Sequence, residues 1–111
     1  MASSLRDNLT AAKGRLRDFA STSPELMQGF GKISKVATNP CSFSAAQKEL
    51  IATAIAVTQG CEDCILFHVD GAKGHGALEA ELVEVLSVAV EMGGGPAVMY
   101  AGKALAAFRE L

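Results

Sequence analysis

No stretch of the chain alternates apolar and polar residues with period two. The apolar residues recur instead at spacings of three and four, between proline and glycine breaks. A half-buried strand shows the first pattern and an amphipathic helix the second, so the sequence points to helices throughout. Over residues 4–20, Leu5, Leu9, Ala12, Leu16 and Phe19 form one stripe, with Arg6, Lys13, Arg15 and Arg17 off it. Ser23-Pro24 then reads as a cap with proline at the first helical position. A second helix over 24–37 carries Leu26, Met27, Phe30, Ile33 and Ala37, with Val36 beside them, and Thr38-Asn39-Pro40 stops it. Both stripes read as packing faces. Ser44-Ala45-Ala46-Gln47 has the form of a capping box and opens a third helix over 45–59. A fourth, over 61–73, packs through Ile65, Leu66, Val69 and Ala72. Gly71, Gly74 and Gly76 loosen its end, and Gly74-His75-Gly76 is the turn. A fifth, over 78–92, turns Leu82, Val85, Leu86, Ala89 and Val90 inward and Glu79, Glu81, Glu84 and Glu91 mostly outward. Gly93-Gly94-Gly95-Pro96 separates it from a last helix over 96–110, with Val98, Met99, Ala101, Leu105, Ala106 and Phe108. The expectation is an all-α fold, a compact bundle of five to six helices with short connections.

A chain of 111 residues is one domain by length. Half of its residues are hydrophobic and a fifth are charged. That is a heavy apolar load for so small a domain, so part of it is expected to be covered by other subunits. The net charge of −2 provides no basic footprint for nucleic acid. The opening MASSLRDNLT has no apolar signal core, and Glu49, Lys73, Glu84 and Glu91 interrupt every candidate membrane span. A cytoplasmic protein with no membrane partner is expected. Three cysteines without a secretory signal argue against a structural disulfide framework.

The chemistry is concentrated between residues 49 and 68. The third helix is apolar on nearly every side apart from Glu49 and Thr53, which predicts burial, and a buried Glu needs a partner or a raised pKa. Leu50, Ile51, Ala54, Ile55 and Thr58 make one stripe. Glu49, Ala52 and Ala56 make another, lined with small side chains that let a neighbouring helix approach Glu49. After a break at Gln59-Gly60, Cys61, Cys64 and His68 follow at i, i+3, i+7, two thiols and an imidazole on one face. A thiolate at a helix start is stabilised by the unpaired N–H groups and the helix dipole. Two cysteines three apart can close a disulfide, one being oxidised and the other resolving it. His68 can take the thiol proton, and a carboxylate against its other nitrogen would fix the tautomer. Glu49 is the candidate for that carboxylate, completing a thiol–imidazole–carboxylate arrangement recognised by role. His75, between two glycines, reads as a solvated loop residue, and Cys41, next to Pro40, as a bystander.

Glu49, eleven residues, Cys61-x-x-Cys64, three residues, His68 resembles the signature of the alkylhydroperoxidase D-like proteins of the carboxymuconolactone decarboxylase family. The similarity runs through Gly93-Gly94-Gly95-Pro96 and covers the core, 41–111, of a single domain spanning 1–111, residues 1–40 being less diagnostic. The resemblance implies an all-helical fold, a homotrimer or homohexamer, and peroxidase or disulfide-reductase activity in antioxidant defence. It also implies that Cys64 meets the peroxide, that Cys61 forms the disulfide with it, and that Glu49 and His68 relay the proton. One position departs. The best-studied branch carries His just before the second cysteine, where this chain has Asp63. An anion there raises a thiol's pKa and does not relay protons near neutrality, which strengthens the alternative of disulfide exchange with a protein partner. The decarboxylase branch does not use a C-x-x-C and fits less well.

The expected partners are a hydroperoxide substrate and a thiol electron donor: a thioredoxin-like protein, a lipoyl protein or a small thiol. No cofactor is expected. Two rival classes remain at this point. Cys61, Cys64 and His68, with Cys41 or Asp63, would supply zinc ligands, although no second C-x-x-C or His pair completes a structural site. A helical assembly module with incidental cysteines is the other.

Overall fold

The computed structural model describes residues 4–111. Residues 1–3, the start of the segment read as lacking a signal core, lie outside the described residues. Six helices make up the described fold: α1 (Leu5–Thr22), α2 (Pro24–Thr38), α3 (Ala45–Gln59), α4 (Glu62–Gly74), α5 (Glu79–Gly93) and α6 (Gly95–Glu110).

The helix ends follow from local chemistry. Ser4 caps α1 by accepting from the Asp7 N–H at 3.0 Å. Only Ser23 separates α1 from α2. It occupies the cap position without a side-chain capping bond, while Pro24 begins the helix. The capping box at α3 is complete: the Gln47 N–H donates to Ser44 Oγ at 3.1 Å and the Ser44 N–H donates to Gln47 Oε1 at 2.9 Å. Gly60 ends α3 in the left-handed region at φ 68°, which glycine reaches without a Cβ clash.

α3 is the central helix and packs against α4, α5 and α6. Leu50, Thr53, Ala56 and Val57 are its buried face, against Ile65, Leu66, Val69 and Ala72 of α4, Leu82, Leu86 and Ala89 of α5, and Ala97, Ala104, Ala107 and Phe108 of α6. Fully burying a side chain the size of Leu or Val contributes about 1.5–3 kcal/mol. The alanines contribute less area, but they let the helices come close. α1 adds Leu9, which is almost wholly enclosed.

The apolar stripes of α2, α3 and α6 do not face the core as their patterns predict. The α3 stripe does not point inward as a unit: Leu50 is buried, whereas Ile51 and Ile55 are exposed. The inward face is offset by one position, because Thr53 turns inward with its hydroxyl donating to the Glu49 carbonyl at 2.8 Å. The α2 stripe has the pattern of a packing face, yet among the described residues α2 buries none of its side chains. Leu26, Phe30, Ile33 and Val36 are all more than half exposed. On α6 the inward face is the alanine line, and Val98 and Met99 are exposed. No helix among the described residues is long and apolar enough to cross a membrane.

Candidate functional site

α3 and α4 bring the four candidate residues to one region. Cys61 follows the Gly60 turn and is itself the N-cap of α4, its Sγ accepting from the Cys64 N–H at 3.2 Å. Cys61 thus stands where Ser, Thr or Asp usually satisfies a helix's free donors. One turn later the Cys64 sulfur is bonded to it, with the two Cα atoms 5.2 Å apart. His68 lies four residues beyond Cys64 on the same helix. Its Nδ1 donates to Glu49 Oε2 at 2.7 Å. A carboxylate oxygen only accepts, so the proton of this bond is carried on Nδ1, which leaves Nε2 as the nitrogen able to receive one. The Glu49 side chain is 14% exposed and the His68 side chain 28%. A hydrogen bond to a charged partner is worth about 1.5–3 kcal/mol net, enough to hold the imidazole in one orientation.

Gly71 explains how Glu49 reaches this position. Gly71 is not part of a loosened helix end: it lies inside α4, and the turn is formed by His75 and Gly76, the latter at φ 89°. A Cβ at Gly71 would stand 2.9 Å from Glu49 Oε2 and 3.0 Å from its Cδ. The carboxylate lies across the bare Cα, one turn below His68.

Asp63 and Glu62, the two anions between the cysteines, are each met by a cation from another helix. Arg15 of α1 reaches Asp63 at 3.0 Å, and Lys103 of α6 pairs with Glu62. The Glu62 hydrogen bond holds Lys103 above the ordinary lysine range. Local negative charge at the thiols is thereby offset by partners far away in sequence. Lys13 of α1 lies 3.5 Å from Asp70, which Arg6 also approaches at 3.6 Å.

Cys64 and His68 open onto a groove between α1, α2 and α4, with a cavity volume of about 560 Å³. Leu16, Met27, Phe30 and Phe67 form its apolar walls. Sequence reasoning missed these groove residues, together with Arg15 and Gly71. Leu16, Met27 and Phe30 were visible only as members of helical stripes, which carry no sign of what they face. Cys41 is free and exposed, and His75 is exposed, and neither lines this groove. Among the described residues no three His, Cys, Asp or Glu side chains gather into a cluster suited to a metal ion.

The sequence profile of the carboxymuconolactone decarboxylase family matches residues 24–107. The chain belongs to the carboxymuconolactone decarboxylase family. The match begins at Pro24, so it takes in α2 as well as the core. An uncharacterised protein of Cupriavidus necator is 45% identical over 111 residues, covering 100% of this chain and 98% of that protein. A carboxymuconolactone decarboxylase family protein from Legionella pneumophila has a solved structure that superposes with a TM-score of 0.88 at 41% identity, over 94% of this chain and 96% of that one. A structure from Thermotoga maritima, of a family member for which an antioxidative role has been put forward, superposes with a TM-score of 0.82. It is 22% identical, over 93% of this chain and 88% of that one, and so bears on the fold alone. The resemblance to the alkylhydroperoxidase D-like branch agrees with this family and with the all-α fold.

Proposed function

We propose that this family member is a thiol-dependent oxidoreductase that reduces hydroperoxides through the Cys61–Cys64 pair, in antioxidant defence. The observation that carries the reading is the 2.7 Å Glu49–His68 bond on the same groove as Cys64, whose sulfur pairs with Cys61. In the reduced protein His68 Nε2 takes the Cys64 thiol proton, and Glu49 balances the imidazolium charge. The thiolate attacks the terminal peroxide oxygen and the O–O bond breaks. The departing alkoxide takes the proton from His68 and leaves as the alcohol, while Cys64 becomes a sulfenic acid. The Cys61 thiol then displaces its hydroxyl as water and closes the disulfide. An external thiol donor returns two electrons. A thioredoxin-like protein, a lipoyl protein or a small thiol meets that need, in a reducing compartment such as the cytoplasm. Asp63 in place of an imidazole favours a second reading in which the same pair exchanges with a protein disulfide rather than a peroxide.

The assembly expected from composition also belongs to this proposal. A homotrimer or homohexamer would cover Leu26, Ile33 and Val36 of α2, the outward Ile51 and Ile55 of α3, and Val98 and Met99 of α6, leaving the groove open.

The relay is tested in single turnover with pre-reduced protein. Glu49→Gln and His68→Ala are each expected to slow thiol oxidation by about 10²-fold. The double variant should be barely slower than either single one, because the two groups act as one unit. Additive losses, or an unchanged rate in Glu49→Gln, would remove the relay.

A further inference from the structure

The groove that exposes Cys64 is far larger than hydrogen peroxide requires. Its volume of about 560 Å³ falls within the roughly 300–1,000 Å³ of sites for organic ligands. Its walls are aliphatic and aromatic, from Leu16 on α1, Met27 and Phe30 on α2 and Phe67 on α4. Two cations, Lys13 and Arg15, also line it, against one acid, Asp63. The carboxylate beside Lys13 is Asp70, at 3.5 Å and outside the groove lining, and Arg6, which donates to Leu111 O at 3.0 Å, approaches the same carboxylate at 3.6 Å. Arg15 holds Asp63 through a single terminal nitrogen, leaving its other donors unengaged by that bond. Lys13 Nζ lies 5.9 Å from the centre of the Phe67 ring, where the charged edge meets the apolar wall. Phe67 in turn packs edge-on to His68, with ring centres 5.4 Å apart. Cation, aromatic wall and proton acceptor are therefore consecutive around one opening.

We infer that this groove binds a long-chain carboxylate, its tail along Leu16, Met27, Phe30 and Phe67 and its carboxylate on Lys13 and Arg15, so that the hydroperoxide taken there is that of a fatty acid. The substrate assignment rests on the peroxidase reading, whereas the binding assignment stands without it. An apolar tail displaces water from the walls, and a ligand carboxylate meets Lys13 and Arg15, the two cations of a lining that holds one acid, Asp63. The thiol reaction described above then converts the hydroperoxy acid to the hydroxy acid and water, with the Cys61–Cys64 disulfide as the oxidised product.

The test compares a fatty acid with its methyl ester, which has the same tail and no charge. Reduced protein is mixed with linoleic acid hydroperoxide, with its methyl ester, and with hydrogen peroxide, and loss of free thiols is followed. Oxidised protein is titrated by calorimetry with the corresponding hydroxy acid and hydroxy ester. The acid is expected to be favoured over the ester by about tenfold in both measurements, the scale of two half-exposed charge contacts. The Lys13→Gln/Arg15→Gln variant should bring the acid-to-ester ratio to near one. Because a ratio is read, any effect of Arg15 on the thiols through Asp63 cancels. Equal binding of acid and ester, or a ratio unmoved in the variant, overturns the inference even when hydrogen peroxide oxidises the pair. Preferential binding of the hydroxy acid with no peroxide able to oxidise the pair would uphold the site and defeat the peroxidase reading.

Discussion

The bare Cα of Gly71 and the Glu49 carboxylate share a space that a methyl group would enter, at 2.9 Å from Oε2. The atom in the way is the far end of a flexible side chain, so the backbone can stay where it is and the carboxylate must move. Alanine is also the better helix residue, by about 1 kcal/mol. Gly71→Ala should therefore leave denaturant stability within about 1 kcal/mol of the parent or above it. Thiol oxidation should slow by about threefold to tenfold, since a shift of a few tenths of an ångström is a fraction of the misplacement that costs 10²-fold. Equal rates would show that Glu49 re-seats freely and that Gly71 does not position it. That Cys61, Cys64 and His68 share a region with Glu49 was legible because i, i+3, i+7 positions lie on one helix face and small side chains flank Glu49. Gly71 was not, because a glycine near a helix end reads as a stop unless the side chain lying over it is known. Arg15 was not, because nothing within α1 shows that it meets Asp63, 48 positions away.

The α3–α4 junction positions the two cysteines. Gly60 ends one helix at φ 68°, and Cys61 caps the next. The ring of Tyr100 on α6 closes over the turn, 3.2 Å from where a Gly60 Cβ would stand. Gly60→Ala combines a left-handed conformation with that contact and should cost about 1–2 kcal/mol. Chemical unfolding at fixed protein concentration measures it, and unchanged stability would mean that the turn can be remade in another conformation. The helices themselves were legible in the sequence almost residue by residue, since proline, glycine and the Ser44–Gln47 box mark their ends. Which face of each turns inward was less so. In α3 nearly every position is apolar, and periodicity cannot choose between Ile51 or Ile55 and Val57 when all would suit a core.

For the whole molecule, the radius of gyration of 14.2 Å is slightly above the ~13 Å of a compact domain of about this length. Among the described residues α2, with its uncovered apolar stripe, packs only on α1 and α3. The proposed assembly should give three or six times the 11.5 kDa chain mass by light scattering at micromolar concentration. A mass near one chain with full thiol reactivity would remove both the assembly and any dependence of the chemistry on it. The proposed redox action of Cys61 and Cys64 on a peroxide is tested on the thiols themselves. Reduced protein is exposed to a stoichiometric amount of peroxide, the reaction is stopped by alkylation, and the peptide spanning Cys61 and Cys64 is weighed. Both thiols should be lost together, with the mass of a disulfide, while Cys41 is recovered alkylated. Oxidation of Cys64 alone to the sulfinic acid, with Cys61 still free, would contradict it.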